Sequence, residues 1–180
     1  IDRGDAMIDI SADSVTDGTI DATGADSLAL NVTGDSVAIT TALTTDASDV
    51  SISLNGDTNT IAAATLPGVT ALTIDTAGAG NSVGTLTAAS LGDLTLNITG
   101  GDFSTSLAGA TVLETVDING GGDLTDFTVA ANSDDLTTID LSDFTGSIGT
   151  SGVAITSQTG SGVDFEIGEL DGAASARTAA

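Results

Sequence analysis

Apolar and polar residues alternate in short runs that return every 22 residues. Leu28, Val50, Leu72, Leu94 and Val116 form one apolar column at this step. Ile8, Leu30, Ile52, Ile74, Leu96 and Ile118 form a second, two positions further on. Ile10, Val32, Leu54 and Ile98 form a third, broken by Thr76 and Gly120. Asp9, Asn31, Ser53, Asp75, Asn97 and Asn119 make a polar column between them. Apolar, polar, apolar is the period-2 signature of a strand with one buried face. A fixed long period means a stack of equivalent units.

Gly34, Gly56, Gly78, Gly100 and Gly122 keep the same step and fall just after the strand. There the chain must turn, and glycine's access to φ > 0 is useful. The pattern predicts an all-β fold, a right-handed parallel β-helix with coils of about 22 residues. Equivalent strands of successive coils then pair in parallel about 4.8 Å apart. Residues 1–167 make roughly seven to eight such coils, and 168–180 form a flexible tail or a connection to further sequence. A weaker apolar set predicts the second wall of each coil: Val37, Ile39, Ile61, Val83, Leu86, Phe103, Leu107, Phe127, Val129 and Ile148. Leu113, Val116 and Ile118 recur one residue late as Leu136, Ile139 and Leu141, which places a one-residue insertion within 130–135. The only proline, Pro67, sits in a Leu66-Pro67-Gly68 turn. A leucine-rich-repeat-like solenoid is the alternative, because Leu91, Leu94 and Leu96 match its opening. Its asparagine ladder is missing, since the positions equivalent to Asn55 are Thr33, Ala77, Thr99 and Gly121.

Composition narrows the function classes. Of 180 residues, 23 are Asp and 3 are Glu, against two cationic side chains, Arg3 and Arg177, and the net charge is −24. Such a surface repels nucleic acid and anionic membrane. Hydrophobic content of 40% still allows a buried core. There is no Cys, and no apolar run long enough to span a bilayer. With no His, Lys, Trp or Tyr, and Arg only near the ends, the chain lacks a general base for a serine nucleophile, a mid-chain lyase base and a stacking platform for sugars. Asp134 and Asp135 are adjacent, but neighbours on a strand point to opposite faces. The expectation is that the chain is not an enzyme.

The candidate ligands are aspartates. Asp35, Asp57 and Asp123 follow turn glycines, with Asp13 in the same column. Asp102 and Asp126 flank the glycine-rich turns around Gly120, Gly121 and Gly122. Stacked carboxylates about 5 Å apart repel, and Ca2+, which takes six to eight oxygens, relieves this. Solvated turn aspartates are the plainer explanation for any one of them. The strand–turn pattern, with segments such as 136–146, resembles the Thr/Ala/Gly/Asp-rich β-repeat regions of bacterial S-layer proteins and of RTX-like adhesins exported by type I secretion. In that resemblance Gly160-Ser161-Gly162-Val163-Asp164 is similar to one copy of a calcium-binding nonapeptide, with Glu166 in place of its apolar residue. This adds Asp164 to the metal candidates.

The resemblance implies an extracellular structural component that assembles with copies of itself into a layer or filament and is stabilised by Ca2+. Its partners are then other copies and, through regions outside this chain, a cell-surface polysaccharide; nucleic acid and direct membrane insertion are excluded. Two alternatives remain: an adhesin segment that binds a host or glycan ligand, and a halophile surface protein whose charge serves solvation without specific ion sites. Arg3-Gly4-Asp5 matches an integrin-binding tripeptide. Asn31-Val32-Thr33 and Asn97-Ile98-Thr99 match the N-glycosylation pattern, with both asparagines on the outward column.

Overall fold

The computed structural model describes residues 4–129 and 135–149, and the backbone of Val153–Ile155 and Asp164–Ile167. Strands numbered in chain order alternate between two parallel sheets, so that each coil gives one strand to each wall. The first sheet holds β1 (Ala6–Ile10), β3 (Ser27–Val32), β5 (Asp49–Leu54), β7 (Ala71–Thr76), β9 (Asp93–Ile98), β11 (Thr115–Asn119), β13 (Thr138–Leu141) and β15 (Asp164–Ile167). The second holds β2 (Thr16–Asp21), β4 (Ala38–Thr44), β6 (Thr60–Thr65), β8 (Asn81–Thr87), β10 (Asp102–Ala108), β12 (Asp123–Val129) and β14 (Val153–Ile155). This is a β-solenoid with coils of about 22 residues, as the periodicity predicts. The described residues contain no helix. A second wall built as a sheet sets aside the leucine-rich-repeat alternative. The predicted tail and the glycine motif of 160–163 lie outside the described residues, as do Arg3 and the stretch 130–134.

The apolar columns line the interior. Leu28, Val50, Leu72, Leu94 and Val116 stack in register on the first sheet and are buried, as are Leu30, Ile52, Ile74, Leu96 and Ile118. The second-wall residues Val37, Ile39, Ile61, Val83, Leu86, Leu107 and Val129 are buried opposite them. Phe103, Phe127 and Phe144 are also fully enclosed, so the interior admits rings in the later coils. Where Gly120 breaks the third column, the next coil sets the buried Phe144 beside it.

The two walls differ in regularity. From β1 to β11 the first sheet pairs residues 22 apart without a break. The second sheet carries register shifts at Asp17/Thr19, Ile39/Leu43, Thr105/Ser106 and Phe103/Ser104. Bulges of this kind absorb local length differences without moving the rest of the coil. The late insertion appears as Thr115 facing Thr138, a step of 23. A further residue enters before Gly120 faces Phe144, a step of 24, at the turn where the Ser142 N–H donates to Asp140 Oδ1 at 2.8 Å.

The periodic glycines have a different physical reason from the one the turn suggests. None of Gly34, Gly56 and Gly78 has positive φ; the left-handed conformation falls two residues later, at Ser36 (58°), Thr58 (56°) and Gly80 (70°), with Ser14 (56°) in the same column. What these glycines supply is close approach. A Cβ on Gly34 would lie within 3.0 Å of the Ala12 carbonyl, one on Gly56 would meet the Gly34 carbonyl, and one on Gly78 the Gly56 carbonyl. Each corner therefore rests directly on the backbone of the corner below.

Gly56→Ala is expected to destabilise the fold by about 1–3 kcal/mol, the usual range for overpacking. Gly18→Ala, where the nearest atom to a new Cβ is Thr41 Oγ1 at 3.9 Å, should stay within about 0.5 kcal/mol. Equilibrium denaturation of both variants checks the contrast, and equal effects would show that close stacking is not the reason for the glycine column.

Candidate functional site

The corner after the first-sheet strands gathers most of the aspartates singled out in the sequence. Asp13 Oδ1 accepts the Asp35 N–H at 2.9 Å. Asp35 Oδ1 accepts the Asp57 N–H at 2.8 Å, and Asp57 Oδ1 accepts the Ala79 N–H at 2.8 Å. Each carboxylate thus holds the backbone of the coil above it. The backbone answers in the other direction: the N–H groups of Ser14, Ser36 and Thr58 donate to the carbonyls of Asp35, Asp57 and Ala79, each at 2.7 Å. The Ser36 and Thr58 hydroxyls join at 3.0 Å. These bonds hold non-glycine residues in the left-handed region, which is otherwise unfavourable. Where Ala79 interrupts the aspartate column, Asp102 reaches down from the next coil and accepts the Gly80 N–H at 2.5 Å. The opposite corner uses the same device once, with Gly24 N–H donating to Asp46 Oδ1 at 2.6 Å.

The later candidates are spent in the same way. Strand register sets Asp102 beside Asp123. Yet Asp123 turns the other way and accepts both the N–H (3.0 Å) and the hydroxyl (2.6 Å) of Ser147. That pair holds the Asp123 carboxyl below the ordinary aspartate value of 3.8, the hydroxyl bond first and the backbone bond second. Asp126 accepts the Thr128 hydroxyl on the outer face of β12. Asp21 and Asp140 are likewise lowered, chiefly by the backbone N–H of Thr23 and of Ser142. Asp164 lies in β15, described by backbone alone.

Ca2+ needs six to eight oxygens converging on one point. Among the described residues no three carboxylates form a group able to hold a metal. Asp35, Asp57, Asp102 and Asp123 lie along one corner edge and Asp126 on the outer face of β12, and each turns at least one oxygen to a protein donor. No cationic side chain falls among the described residues, so these carboxylates are answered by N–H and O–H groups.

The outward column of the first sheet is a second ladder. Asn31 donates to Asp9 at 3.3 Å, Asn97 to Asp75 at 2.7 Å, and Asn119 to Asn97 at 3.2 Å. Both asparagines of the glycosylation patterns are therefore half-buried, mid-ladder and outward-facing.

A third ladder is internal and is not among the sequence candidates. Asn59 Oδ1 accepts the Val37 N–H at 2.9 Å, and Asn81 Oδ1 accepts the Asn59 N–H at 2.8 Å. The Asn81 amide group donates to the carbonyls of Leu54 and Gly78 and to the Thr76 hydroxyl, all at 3.1 Å. Thr76, the polar break in the third apolar column, is thus the partner of a buried asparagine five residues on. Asn59 has Leu54 in that place, and its Nδ2 is left without a partner. Thr105 Oγ1 is unpartnered as well, set in register between Val83 and Phe127. The spacing of Asn59 and Asn81 is the signal in the sequence that marks this ladder.

Comparison with protein-family models, with curated proteins and with solved structures finds no match. What the chain does therefore rests on its own geometry.

Asn81→Leu removes one acceptor and strands the buried Asn59 N–H. It should cost at least about 1–3 kcal/mol, the penalty for an unsatisfied buried polar group, read as a lower denaturation midpoint. A pH series tests the corner at Asp123. Because its folded value is depressed, its contribution is complete above the ordinary value and is lost as pH falls through the folded one. The melting-temperature gap between the parent and Asp123→Ala should therefore be open near neutrality and close below the ordinary aspartate range. A gap of constant size would remove the Ser147 bond as its source.

Proposed function

We propose that this chain is a structural segment of an extracellular surface layer or filament, a stiff rod that assembles with copies of itself and whose work is mechanical. One observation carries this: the polar side chains bind the next coil rather than converge on a common point. Carboxylate-to-amide, amide-to-amide and hydroxyl-to-hydroxyl bonds all join residues 22 apart. A catalytic or ligand site needs several groups aimed at one external atom. Here three separate ladders run along the axis, each tying one coil to its neighbour. Such cross-links resist shear between coils and leave few groups for chemistry. The absence of cationic side chains over the described coils also supports an exposed, strongly hydrated surface. No helix of the described residues is long and apolar enough to cross a membrane.

Electron microscopy of the concentrated protein, with and without EGTA, tests this role alongside thermal unfolding of the same samples. Ordered sheets or filaments are expected in both conditions, with an unchanged unfolding midpoint. A protein that stays monomeric throughout and binds a glycan or host protein would instead be an adhesin segment. A midpoint that drops in EGTA would show a calcium site in the ordered structure.

A further inference from the structure

We infer that copies of the chain meet laterally through the outer face of the second sheet, over strands β4, β6, β8 and β10. This rests on the self-assembling role proposed above and names the surface that would carry it. The starting point is where the charge is not. On the first sheet an outward carboxylate stands on each of β5, β7, β9 and β11: Asp49, Asp75, Asp93 and Asp117. On the second sheet β4, β6 and β8 carry no ionisable residue at all. The one acid of β10 is Asp102, its first residue, which turns to the Gly80 N–H at the corner. The face presents hydroxyl and methyl groups instead. Thr44, Thr65 and Thr87 stand in register across three strands, and Thr60 pairs with Ser82. Carboxylates return only at the margins, with Asp17 and Asp21 on β2 and Asp123 and Asp126 on β12.

Two molecules of net charge −24 repel wherever carboxylates face one another. This wall lets two copies approach with their acids held at the rim. The size of the face sets the strength. Four strands at about 4.8 Å spacing and about 20 Å of strand length give roughly 400 Å2 per copy. Two copies then cover about 800 Å2, below the roughly 1,200 Å2 of a stable pair. The contact is therefore weak singly and persists through repetition in an array, where neighbours hold each copy in place. Salt should strengthen it, because ions screen the rim carboxylates over a Debye length of about 8 Å at 0.15 M. An interface built on ion pairs would weaken instead.

The chain contains no native cysteine, which makes the test direct. Thr85→Cys places a thiol on this face, and Ser51→Cys places one on the outer face of the first sheet; both positions are exposed. Under mild oxidation of the concentrated protein in salt, Thr85→Cys should give a disulfide-linked dimer and Ser51→Cys should remain monomeric. In sedimentation velocity the parent should shift toward dimer with rising concentration and salt, and Thr85→Asp should lose that shift. Equal cross-linking at the two positions, or a Thr85→Asp variant that associates like the parent, overturns the assignment of the face. If ordered assemblies still form in that case, the structural role stands and only the contact surface is wrong. If neither the parent nor any variant associates at any concentration, the self-assembling role fails with it.

Discussion

Each coil must close on itself and return one strand-spacing higher, and the remaining structure follows from that requirement. Parallel strands pair at about 4.8 Å, so the backbone at every corner has to fit against the backbone of the corner below. A side chain at the tightest corner position would occupy the space of a carbonyl. Glycine there is a condition of stacking. Once the corners touch, the Asp13, Asp35 and Asp57 carboxylates come within reach of the next coil's amides, and the left-handed Ser14, Ser36 and Thr58 gain the bonds that hold them. The aliphatic columns fill the interior that results.

Interactions in such a stack are almost all between neighbours. Side-chain bonds recur at a separation of 22, and strand pairing never skips a coil. Stability in this arrangement adds along the axis, coil plus interface, in place of one central core. The charge fits the same scheme. With no cation among the described residues, the paired carboxylates serve as acceptors for fixed N–H or O–H groups, supplied by the neighbouring coil at Asp13, Asp35, Asp57 and Asp123 and from within the same coil at Asp21, Asp126 and Asp140.

Much of the architecture is legible in the residues because the first sheet keeps its step without interruption from β1 to β11. Columns such as Leu30, Ile52, Ile74, Leu96 and Ile118 need only a fixed period to be seen. The second wall is fainter in the sequence because its bulges move residues by one and blur the column. The glycines are plain, yet their reason is hidden: a turn and a close contact both ask for the same residue, and only the neighbouring backbone distinguishes them. The turn aspartates show the same ambiguity. A column of carboxylates suggests a metal as readily as a row of acceptors for backbone N–H groups, and the sequence alone does not show where the N–H groups of the next coil point. Asn59 and Asn81 escape notice because polar residues amid glycine, serine and threonine look like surface. Thr76, which looks like a defect in an apolar column, is the mark of their burial.

The contrast between the strict wall and the bulged wall has a bearing on how the length of such a chain changes over time. Insertion of whole coils leaves every bond from one residue to its counterpart 22 positions on intact, so growth by complete units is structurally silent. Single-residue changes have no such freedom on the first sheet, where a slip of one would turn the aliphatic columns outward. They are taken up in the second sheet and at the corners, as the added residue between Val116–Ile139 and Gly120–Phe144 shows. From β1 to β11 one wall thus keeps the count, while the other wall and the corners absorb the errors.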